Sequence, residues 1–366
     1  MRLDPAAETR IIGRVTQHRT LPAMARRPTI EDLARAAGVS TATVDRVLNG
    51  RLKVREDTAR RVAEAAHRIG FHARGLIERR LSPELPVLDL GFVLLKEKQE
   101  FYQNFAAGIR AAVAARSDIR GRALIRFSPS QGPEDFAAHM RALGQEADAI
   151  ACAAVNHPGV SAAVQELKGA GVPTFALLND FGQGIRESYI GLNNVQVGRI
   201  AAWTIATAAR TPGKIAVFVG GNRWHGHELR ETGFRSYVRE HAPGFTVLDT
   251  LVNLETRQVT YEATLDLLHR NPDLKGIYVA GGGMEGAIAA VRETLPPGQI
   301  AFVVNELTAE SRAALSARYL TLVMATPLAD LCRDLVDFMV KAVREGMSPV
   351  PGQHFLEPRL YTPESI

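Results

Sequence analysis

The fold of this chain is decided by the stretch TIEDLARAAGVSTATVDRVLNG, residues 29–50, and by VREDTARRVAEAAHRIGF, residues 54–71. Apolar residues recur in both stretches at spacings of three and four, which predicts short amphipathic helices. Thr29 can cap the first helix, with Asp32 as its partner in an approximate capping box. Ser40 can cap the second helix. The two stretches therefore predict a compact unit of three helices.

The three predicted helices end at turn residues and share an apolar face. The first stops at Gly38, the second covers residues 41–49, and the third runs from about Arg55 to Ile69, where Gly70 ends it. The residues at core spacing are Ile30, Leu33, Ala37, Val44, Val47, Leu48, Val62, Ala66 and Ile69.

The basic charge of the chain is concentrated around this helical unit. Residues 24–81 hold 13 Lys and Arg against seven Asp and Glu, whereas residues 82–366 hold 27 against 30. A basic segment joined to a slightly acidic remainder indicates a polyanion partner for that segment alone. A solvated basic face is the alternative that charge by itself leaves open.

Beyond residue 86, short apolar runs alternate with longer amphipathic stretches, which is typical of parallel sheets with helices on both faces. We predict strands at residues 88–95, 122–127, 148–154, 173–178, 215–219, 246–251, 276–280 and 300–304. Helices are predicted at residues 104–116, 133–144, 159–170, 194–209, 226–241, 258–270, 285–294 and 308–317. The series divides near residues 189–195, so we expect two α/β lobes with a cleft between them.

The chain therefore divides into four predicted segments. Residues 1–23 are a disordered arm or an over-long gene start before Met24, residues 24–72 form the headpiece, and residues 73–86 form a linker. Residues 87–366 form the larger domain, whose lobes cover about residues 87–190 and 191–320. We expect residues 319–324 and 328–344 to cross back and tie the lobes together.

Several function classes are disfavoured by composition. No run of about 18 apolar residues predicts a membrane span, and the N-terminus lacks the apolar core of a secretory signal. Cys152 and Cys332 lie far apart in apolar surroundings, so we expect buried reduced thiols, with a disulfide as the minor alternative. These features favour a cytoplasmic protein.

The string TIEDLARAAGVSTATVDRVLNG, followed by VREDTARRVAEAAHRIGF, resembles the headpiece of the lactose-repressor (LacI/GalR) family. Residues from about 88 to 366 resemble that family's effector domain, which is similar to periplasmic sugar-binding proteins. The resemblance implies a small all-α helix-turn-helix headpiece joined to a two-lobed α/β domain with parallel sheets. It also implies a homodimeric, nucleoid-associated repressor of double-stranded operator DNA, controlled by a sugar or polyol effector, without catalysis, cofactor or metal.

The resemblance places the base-reading residues at the start of the second helix. They match Thr41, Ala42 and Arg46. Arg46 can donate two hydrogen bonds to guanine, or form a surface ion pair with Asp45 or Glu56 instead. Residues expected near phosphates are Asn49, Arg51 and Lys53.

Two positions depart from the family pattern. Asp45 stands where the family usually has serine; a carboxylate there must pair with an arginine or accept from cytosine N4. In the linker, Arg80 matches the leucine that family members wedge into the minor groove, and Leu81 follows one residue later. The operator sequence and the linker mechanism therefore stay open.

Ligands of open α/β sheets bind beyond the carboxyl ends of the strands, which selects the loops there. Phe101 and Tyr102 match an aromatic pair that stacks on sugar rings, and Arg230 matches an arginine that holds ligand oxygens. The other expected effector contacts are Asn179, Asp180, Glu285, Asn305 and Glu306. Alternatively, Phe101 is core and Arg230 forms an exposed helix ion pair.

The stretch from Gly281 to Gly286 also spells G-x-G-x-x-G after a strand and before a helix, and Glu306 lies 20 residues beyond it. This pattern is the dinucleotide-binding fingerprint, so a nucleotide-sensing regulator or an NAD-dependent enzyme is the alternative function. His225 and His227 are interpreted as polar loop residues and not as metal ligands. A transport receptor for sugars is a third, disfavoured reading.

Overall fold

In the computed structural model of the chain, the described residues are 28–49, 54–73, 77 and 85–366. The chain divides into two compact units, Met1–Leu85 and Pro86–Ile366. The described part of the first unit contains the three predicted helices, α1 (Ile30–Ala37), α2 (Thr41–Asn49) and α3 (Glu56–Arg68).

The predicted caps of α1 and α2 are confirmed. The Thr29 hydroxyl accepts from the Asp32 N–H at 3.3 Å, and the Asp32 carboxylate accepts from the Thr29 N–H at 2.9 Å. Gly38 ends α1 in the left-handed region at φ 66°, which glycine adopts without steric cost. The Ser40 hydroxyl then accepts from the Thr43 N–H at 3.2 Å.

The core of the first unit lies between α1, α2 and α3. Seven of its predicted members are confirmed as buried: Leu33, Ala37, Val44, Val47, Leu48, Val62 and Ala66. Ile69 packs against them half-buried. The prediction for Ile30 is wrong: as the first residue of α1 it is 40% exposed, and the core extends instead to Phe71 and Ile77.

The second unit is built on two sheets. Its strands are β1 (Val87–Leu95), β2 (Arg120–Ser128), β3 (Ala149–Cys152), β4 (Thr174–Leu177), β5 (Ser188–Leu192), β6 (Lys214–Val219), β7 (Thr246–Val247), β8 (Leu251–Val252), β9 (Leu274–Val279), β10 (Ala301–Asn305), β11 (Leu322–Ala325), β12 (Gly352–Leu356) and β13 (Arg359–Tyr361). The first sheet has the order β2-β1-β3-β4-β5-β12, and the second has β7-β6-β9-β10-β11-β13, with β8 also pairing with β6. All of these strands are parallel to their neighbours except β13, which is antiparallel to β11.

Helices cover both faces of each sheet and bury an apolar cluster on each side. They are α4 (Glu100–Ala114), α5 (Pro133–Leu143), α6 (Pro158–Gly169), α7 (Asn194–Ala208), α8 (His225–His241), α9 (Arg257–Arg270), α10 (Met284–Thr294), α11 (Ala309–Ser316) and α12 (Leu328–Glu345). The predicted strand–helix series is thereby confirmed, with boundaries that differ by a few residues.

The chain crosses between the sheets three times. β5 leads into α7, which packs on the second sheet, and β11 leads into α12, which packs beside α4 on the first. The chain then adds β12 to the first sheet and β13 to the second. We call the first sheet with its helices the first lobe and the second sheet with its helices the second lobe.

Two features of the sheets were not predicted from the sequence. β12 and β13 are short edge strands of weak apolar pattern, and their position depends on β5 and β11. The predicted strand at residues 246–251 is two separate pieces, β7 and β8. Between β7 and β8 the Arg235 guanidinium donates to the Leu248 carbonyl and to the Thr250 hydroxyl, both at 2.8 Å. These hydrogen bonds stand where the pairing with β6 is interrupted.

Both sheets have the same switch point. β1 lies between β2 and β3 in the first lobe, and β6 lies between β7 and β9 in the second. In each sheet the connections that follow the two strands at the switch point, β1 and β3 or β6 and β9, run toward opposite edges of the sheet. This arrangement opens a crevice at the carboxyl ends of those strands. The two crevices contribute to one site.

Candidate functional site

A cavity of about 490 Å³ lies between the lobes at the carboxyl ends of the strands. The first lobe contributes the start of α4 and the ends of β3 and β4, and the second contributes α8 and the loops after β8, β9 and β10. Seven of the eight predicted effector residues line it: Phe101, Tyr102, Asn179, Arg230, Glu285, Asn305 and Glu306. Their contact with a ligand stays a prediction.

Asp180 does not line the cavity, and the expectation for it needs correction. Its carboxylate is buried and accepts from the Arg186 guanidinium at 2.6 and 2.9 Å. Arg186 also donates to the Gly352 carbonyl at 2.8 Å, which ties the loop to β12. Because Asp180 is buried in this ion pair and does not line the cavity, its carboxylate anchors the loop.

Arg230 is held in place by the protein on one side of its guanidinium. Its Nε donates to the Asn194 side-chain oxygen at 2.7 Å, and Nη1 donates to the Ala280 carbonyl at 2.5 Å. Asn194 in turn donates to the Tyr189 hydroxyl at 3.2 Å. Arg230 is buried, so the alternative of an exposed helix ion pair does not describe it.

Asn305 and Glu306 follow β10 directly. The Tyr278 hydroxyl donates to the Asn305 side-chain oxygen at 3.0 Å, whereas the Asn305 side-chain nitrogen is buried without a partner among the described residues. The Glu306 carboxylate accepts from the Thr326 N–H at 3.0 Å and from its hydroxyl at 2.7 Å. Burial is the main cause that raises the pKa of Glu306. A donor and an acceptor therefore stand side by side at the cavity wall.

Asn179 contacts both lobes. Its amide nitrogen donates to the Ala154 carbonyl at 2.7 Å, and its oxygen accepts from the Gly226 N–H at the start of α8, at 2.8 Å. The amide is thus used to join the lobes, although the residue lines the cavity.

The aromatic pair belongs to the core of the first lobe and also lines the cavity, while its stacking on a ligand stays a prediction. The rings of Phe101 and Tyr102 meet edge to face with centroids 5.2 Å apart, and both pack on the apolar cluster of the first lobe. They also line the cavity. Burial, followed by the charges of Glu255 and Glu306, raises the pKa of Tyr102.

Sequence reasoning missed a group of residues that join the lobes beside the cavity. The Lys96 ammonium donates to the Glu255 carboxylate and to its backbone carbonyl, both at 3.0 Å. Trp224 donates to the Gln131 side-chain oxygen at 2.9 Å. Lys96 follows β1 and Glu255 follows β8. The expectation that ligands bind beyond the carboxyl ends of the strands therefore indicated these two loops, but it did not predict that the two side chains pair.

His227 is buried on α8 and is not a loop residue. Its Nδ1 accepts from the Gly220 N–H at 3.1 Å, and its Nε2 lies 3.7 Å from the Glu255 carboxylate. Desolvation lowers the pKa of His227 to about 4, against the opposing effect of Glu255. His225 is the first residue of α8, and its Nδ1 lies 3.4 Å from the Glu228 carboxylate.

The glycine fingerprint is explained by internal packing. A Cβ at Gly281 would lie 2.4 Å from the His227 ring, and one at Gly286 would lie 2.0 Å from the Arg257 carbonyl on α9. The Gly282 N–H donates to the Glu255 carboxylate at 3.2 Å. The Glu255 carboxylate therefore already accepts from a backbone N–H of this loop that a pyrophosphate would need, which argues against a dinucleotide there.

The five described DNA-reading candidates all lie exposed on α2: Thr41, Ala42, Asp45, Arg46 and Asn49. Asp45 accepts from the Asn49 side chain at 2.6 Å. Arg51, Lys53, Arg80, Leu81 and the Glu56 side chain lie outside the described residues.

Within residues 28–49, 54–73, 77 and 85–366, no group of three or more His, Cys, Asp or Glu can hold a metal ion. No helix in that part of the chain has the length and apolarity that crossing a membrane requires. Cys152 and Cys332 are buried and free.

Comparison with known families gave two matches. Residues 90–346 match the model for the periplasmic binding protein domain, and residues 29–73 match the model for bacterial regulatory proteins of the lacI family.

Similar sequences are transcription regulators. The HTH-type transcriptional regulator CelR of Thermobifida fusca is 28% identical over 277 residues, which are 73% of this chain and 77% of CelR. Catabolite control protein A of Priestia megaterium is 36% identical over 85 residues, only 22% of this chain and 24% of that protein.

Similar solved structures are solute-binding proteins of ABC transporters. One from Agrobacterium vitis, bound with α-D-tagatopyranose, has a TM-score of 0.67 at 21% identity and covers 76% of this chain and 95% of its own. One from Burkholderia graminis, in complex with D-arabinose, has a TM-score of 0.70 at 17% identity and covers 77% and 97%. At such identities the likeness shows the fold alone.

Proposed function

Because the chain belongs to the LacI family of bacterial regulatory proteins and carries a periplasmic binding protein domain, we propose that it is a repressor controlled by a sugar or polyol. The effector binds in the cavity between the lobes and is not turned over there. In this proposal residues 24–72 read DNA, residues 73–86 link, and residues 87–366 bind effector and dimerise. The protein acts in the cytoplasm on the nucleoid.

The observation that carries the effector proposal is the polar wall of the cavity. Arg230 and the Asn305 amide offer donors, and Glu306 offers an acceptor, opposite the aromatic pair of α4. Vicinal hydroxyls of a sugar both donate and accept, so they fit alternating groups of this kind. A few convergent polar groups in a largely apolar pocket are typical of small-molecule sites. The sugars in the two similar solved structures support the same class.

The DNA-reading proposal is supported by α2. Its exposed early residues suit insertion into the major groove, where Arg46 can donate twice to guanine. The Asp45–Asn49 hydrogen bond orients that carboxylate along the helix. A homodimer places two such helices on a pseudo-palindromic operator, with half-sites about one helical turn apart.

The effector changes operator affinity only if it prefers one arrangement of the lobes. The Lys96–Glu255 and Trp224–Gln131 contacts, both at the cavity, separate when the lobes open. A ligand that touches both walls therefore favours closure, and differential binding of this kind is what coupling requires.

The first experiment is a thermal-shift screen of the full chain against neutral sugars, polyols, sugar phosphates and nicotinamide nucleotides. A ligand that binds only the folded state raises the melting temperature by mass action. A sugar or polyol that also changes affinity for an operator selected from random duplexes supports the proposal. A response to NAD(H) alone contradicts it and restores the nucleotide alternative.

A further inference from the structure

Of the carboxylates that line the cavity, those of Glu100, Glu285 and Glu306 form no ion pair with a basic side chain of the described residues. Glu100 accepts from the Ala309 N–H at 3.1 Å instead. Glu285 lies in the first turn of α10, and Glu306 lies after β10. The charges of Arg257 and Lys96 act on Glu285 only from a distance. Arg257 pairs with Glu310 at 3.1 Å, and Lys96 pairs with Glu255 at 3.0 Å.

The pKa values of three groups in the cavity, Glu285, Glu306 and Tyr102, are raised. Burial raises the pKa of both Glu285 and Glu306, and Glu310 raises that of Glu285 further. The carboxylates of Glu255 and Glu306 also disfavour ionisation of Tyr102. Burial and the charge of Glu310 therefore disfavour the ionised form of Glu285, and a desolvated carboxylate is stabilised when a cation reaches it. The charge of Arg230 lowers the pKa of Glu306, whereas the charges that act on Glu285 are those of Glu310, Arg257 and Lys96.

An independent observation shows that a simple amine is not enough. Asn305 is 2% exposed, lines the cavity, and has a side-chain nitrogen without a partner among the described residues. A buried donor of this kind is stabilised by an acceptor, which a ligand in the cavity can supply. A polyamine supplies no acceptor oxygen, whereas a neutral sugar supplies one but leaves Glu285 unpaired.

The aromatic residues of the cavity accept both parts of such a ligand. Phe101, Tyr102 and Trp224 line it. Aromatic faces pack against the apolar faces of sugar rings and also attract ammonium groups. A polyhydroxylated ring that carries one protonated amine thus meets each requirement of the wall.

Resting on the proposed sugar-effector function, we propose that the effector is an amino sugar or aminated polyol whose ammonium pairs with Glu285. Its hydroxyl or ring oxygens then accept from the Asn305 amide, and its remaining hydroxyls donate to Glu306.

The test compares matched sugars by isothermal titration calorimetry on the full chain. The pairs are D-glucose with D-glucosamine, D-galactose with D-galactosamine, and D-mannose with D-mannosamine, each with its N-acetyl derivative. We expect an amine to bind at least tenfold more tightly than its neutral partner in one or more pairs, and N-acetylation to remove that gain. Glu285→Gln should reduce the preference to below about threefold, as expected when one charge-assisted contact becomes neutral. Glu293→Gln on the exposed side of the same helix should keep it.

The outcomes separate the two proposals. If a neutral sugar binds as tightly as its amine, or Glu285→Gln keeps the preference, the amine assignment is wrong and the sugar-effector function stands. If none of these sugars binds, the amine assignment is wrong; if the thermal-shift screen also gives no sugar or polyol, the sugar-effector function fails as well. The comparison of amine with N-acetyl sugar uses the unaltered protein, so it decides the question even where a variant does not fold.

Discussion

The ammonium of Lys96, which follows β1 in the first lobe, lies 3.0 Å from the carboxylate of Glu255, which follows β8 in the second. The two side chains are only 21% and 11% exposed, so the pair is largely shielded from water. The backbone of both residues has positive φ, 51° at Lys96 and 54° at Glu255, a conformation that costs energy for residues other than glycine. Tertiary contacts must hold the pair in this geometry.

Lys96→Met should therefore destabilise residues 86–366. It leaves the Glu255 carboxylate buried with no ammonium, which costs about 2–4 kcal/mol by analogy with broken buried pairs. Glu255→Gln should be destabilising too, and the double variant less so than the sum of the two. Trp203 and Trp224, both in the second unit, report its unfolding in urea by fluorescence. Lys98→Met, two residues away and exposed, is the control; simple additivity of the two single changes would show that the pair is not coupled.

His227 should make the second unit sensitive to acid. Its pKa is lowered from 6.5 to about 4 by burial, so the folded state binds fewer protons than the unfolded state between these values. His227 therefore does not reduce the free energy of unfolding above pH 6.5, but it reduces it progressively as the pH falls from 6.5 toward 4. Between pH 7 and pH 5 this loss is about 2 kcal/mol.

The measurement compares His227→Gln with the unaltered chain in urea at both pH values. The variant should lose about 2 kcal/mol less than the unaltered chain over this interval. The opposing effects of Glu285 and Glu306, whose pKa values are raised, are common to both proteins and cancel in the difference. Equal losses would mean that the pKa of His227 is not lowered in the folded state.

Gly286→Ala should be strongly destabilising for steric reasons. The added Cβ would lie 2.0 Å from the Arg257 carbonyl and 2.7 Å from the Tyr261 nitrogen, so α9 and α10 must move apart at a cost of at least about 2 kcal/mol. Gly169→Ala is the matched control, because no atom of the described residues lies within 4 Å of its Cβ position at the end of α6. The control should be neutral or stabilising by up to about 1 kcal/mol. Equal melting temperatures for the two variants would contradict the packing explanation of the fingerprint.

Arg46→Ala should remove sequence preference, whereas Lys53→Ala should weaken binding to every duplex. Loss of a bidentate guanine contact costs about 1–3 kcal/mol on the operator and little on random DNA. Loss of a phosphate contact lowers the salt dependence of binding by about one unit of slope. Fluorescence anisotropy on an in vitro selected operator and on a scrambled duplex, at several KCl concentrations, distinguishes the two. Equal losses for Arg46→Ala on both duplexes would exclude its role in base reading.

Local pattern was sufficient for most of the architecture. The capping box at Thr29, the helix end at Gly38 and the core positions of α2 depend on residues a few places apart, so the sequence displays them directly. The strand–helix alternation gave two lobes for the same reason. Strand ends likewise indicated the loops that form the cavity, because parallel sheets bring those loops to one edge.

What the sequence by itself determined is thus the division into a helical DNA-reading unit and two α/β lobes, together with the loops between which a ligand can bind. Only the tertiary structure decided how charged residues are paired: Asp180 with Arg186, Lys96 with Glu255, and Glu285 with no basic partner among the described residues. The physical reason is that burial and charge pairing depend on groups brought together from distant parts of the chain. A carboxylate at a strand end looks the same in the sequence whether it anchors a loop, joins two lobes or awaits a ligand.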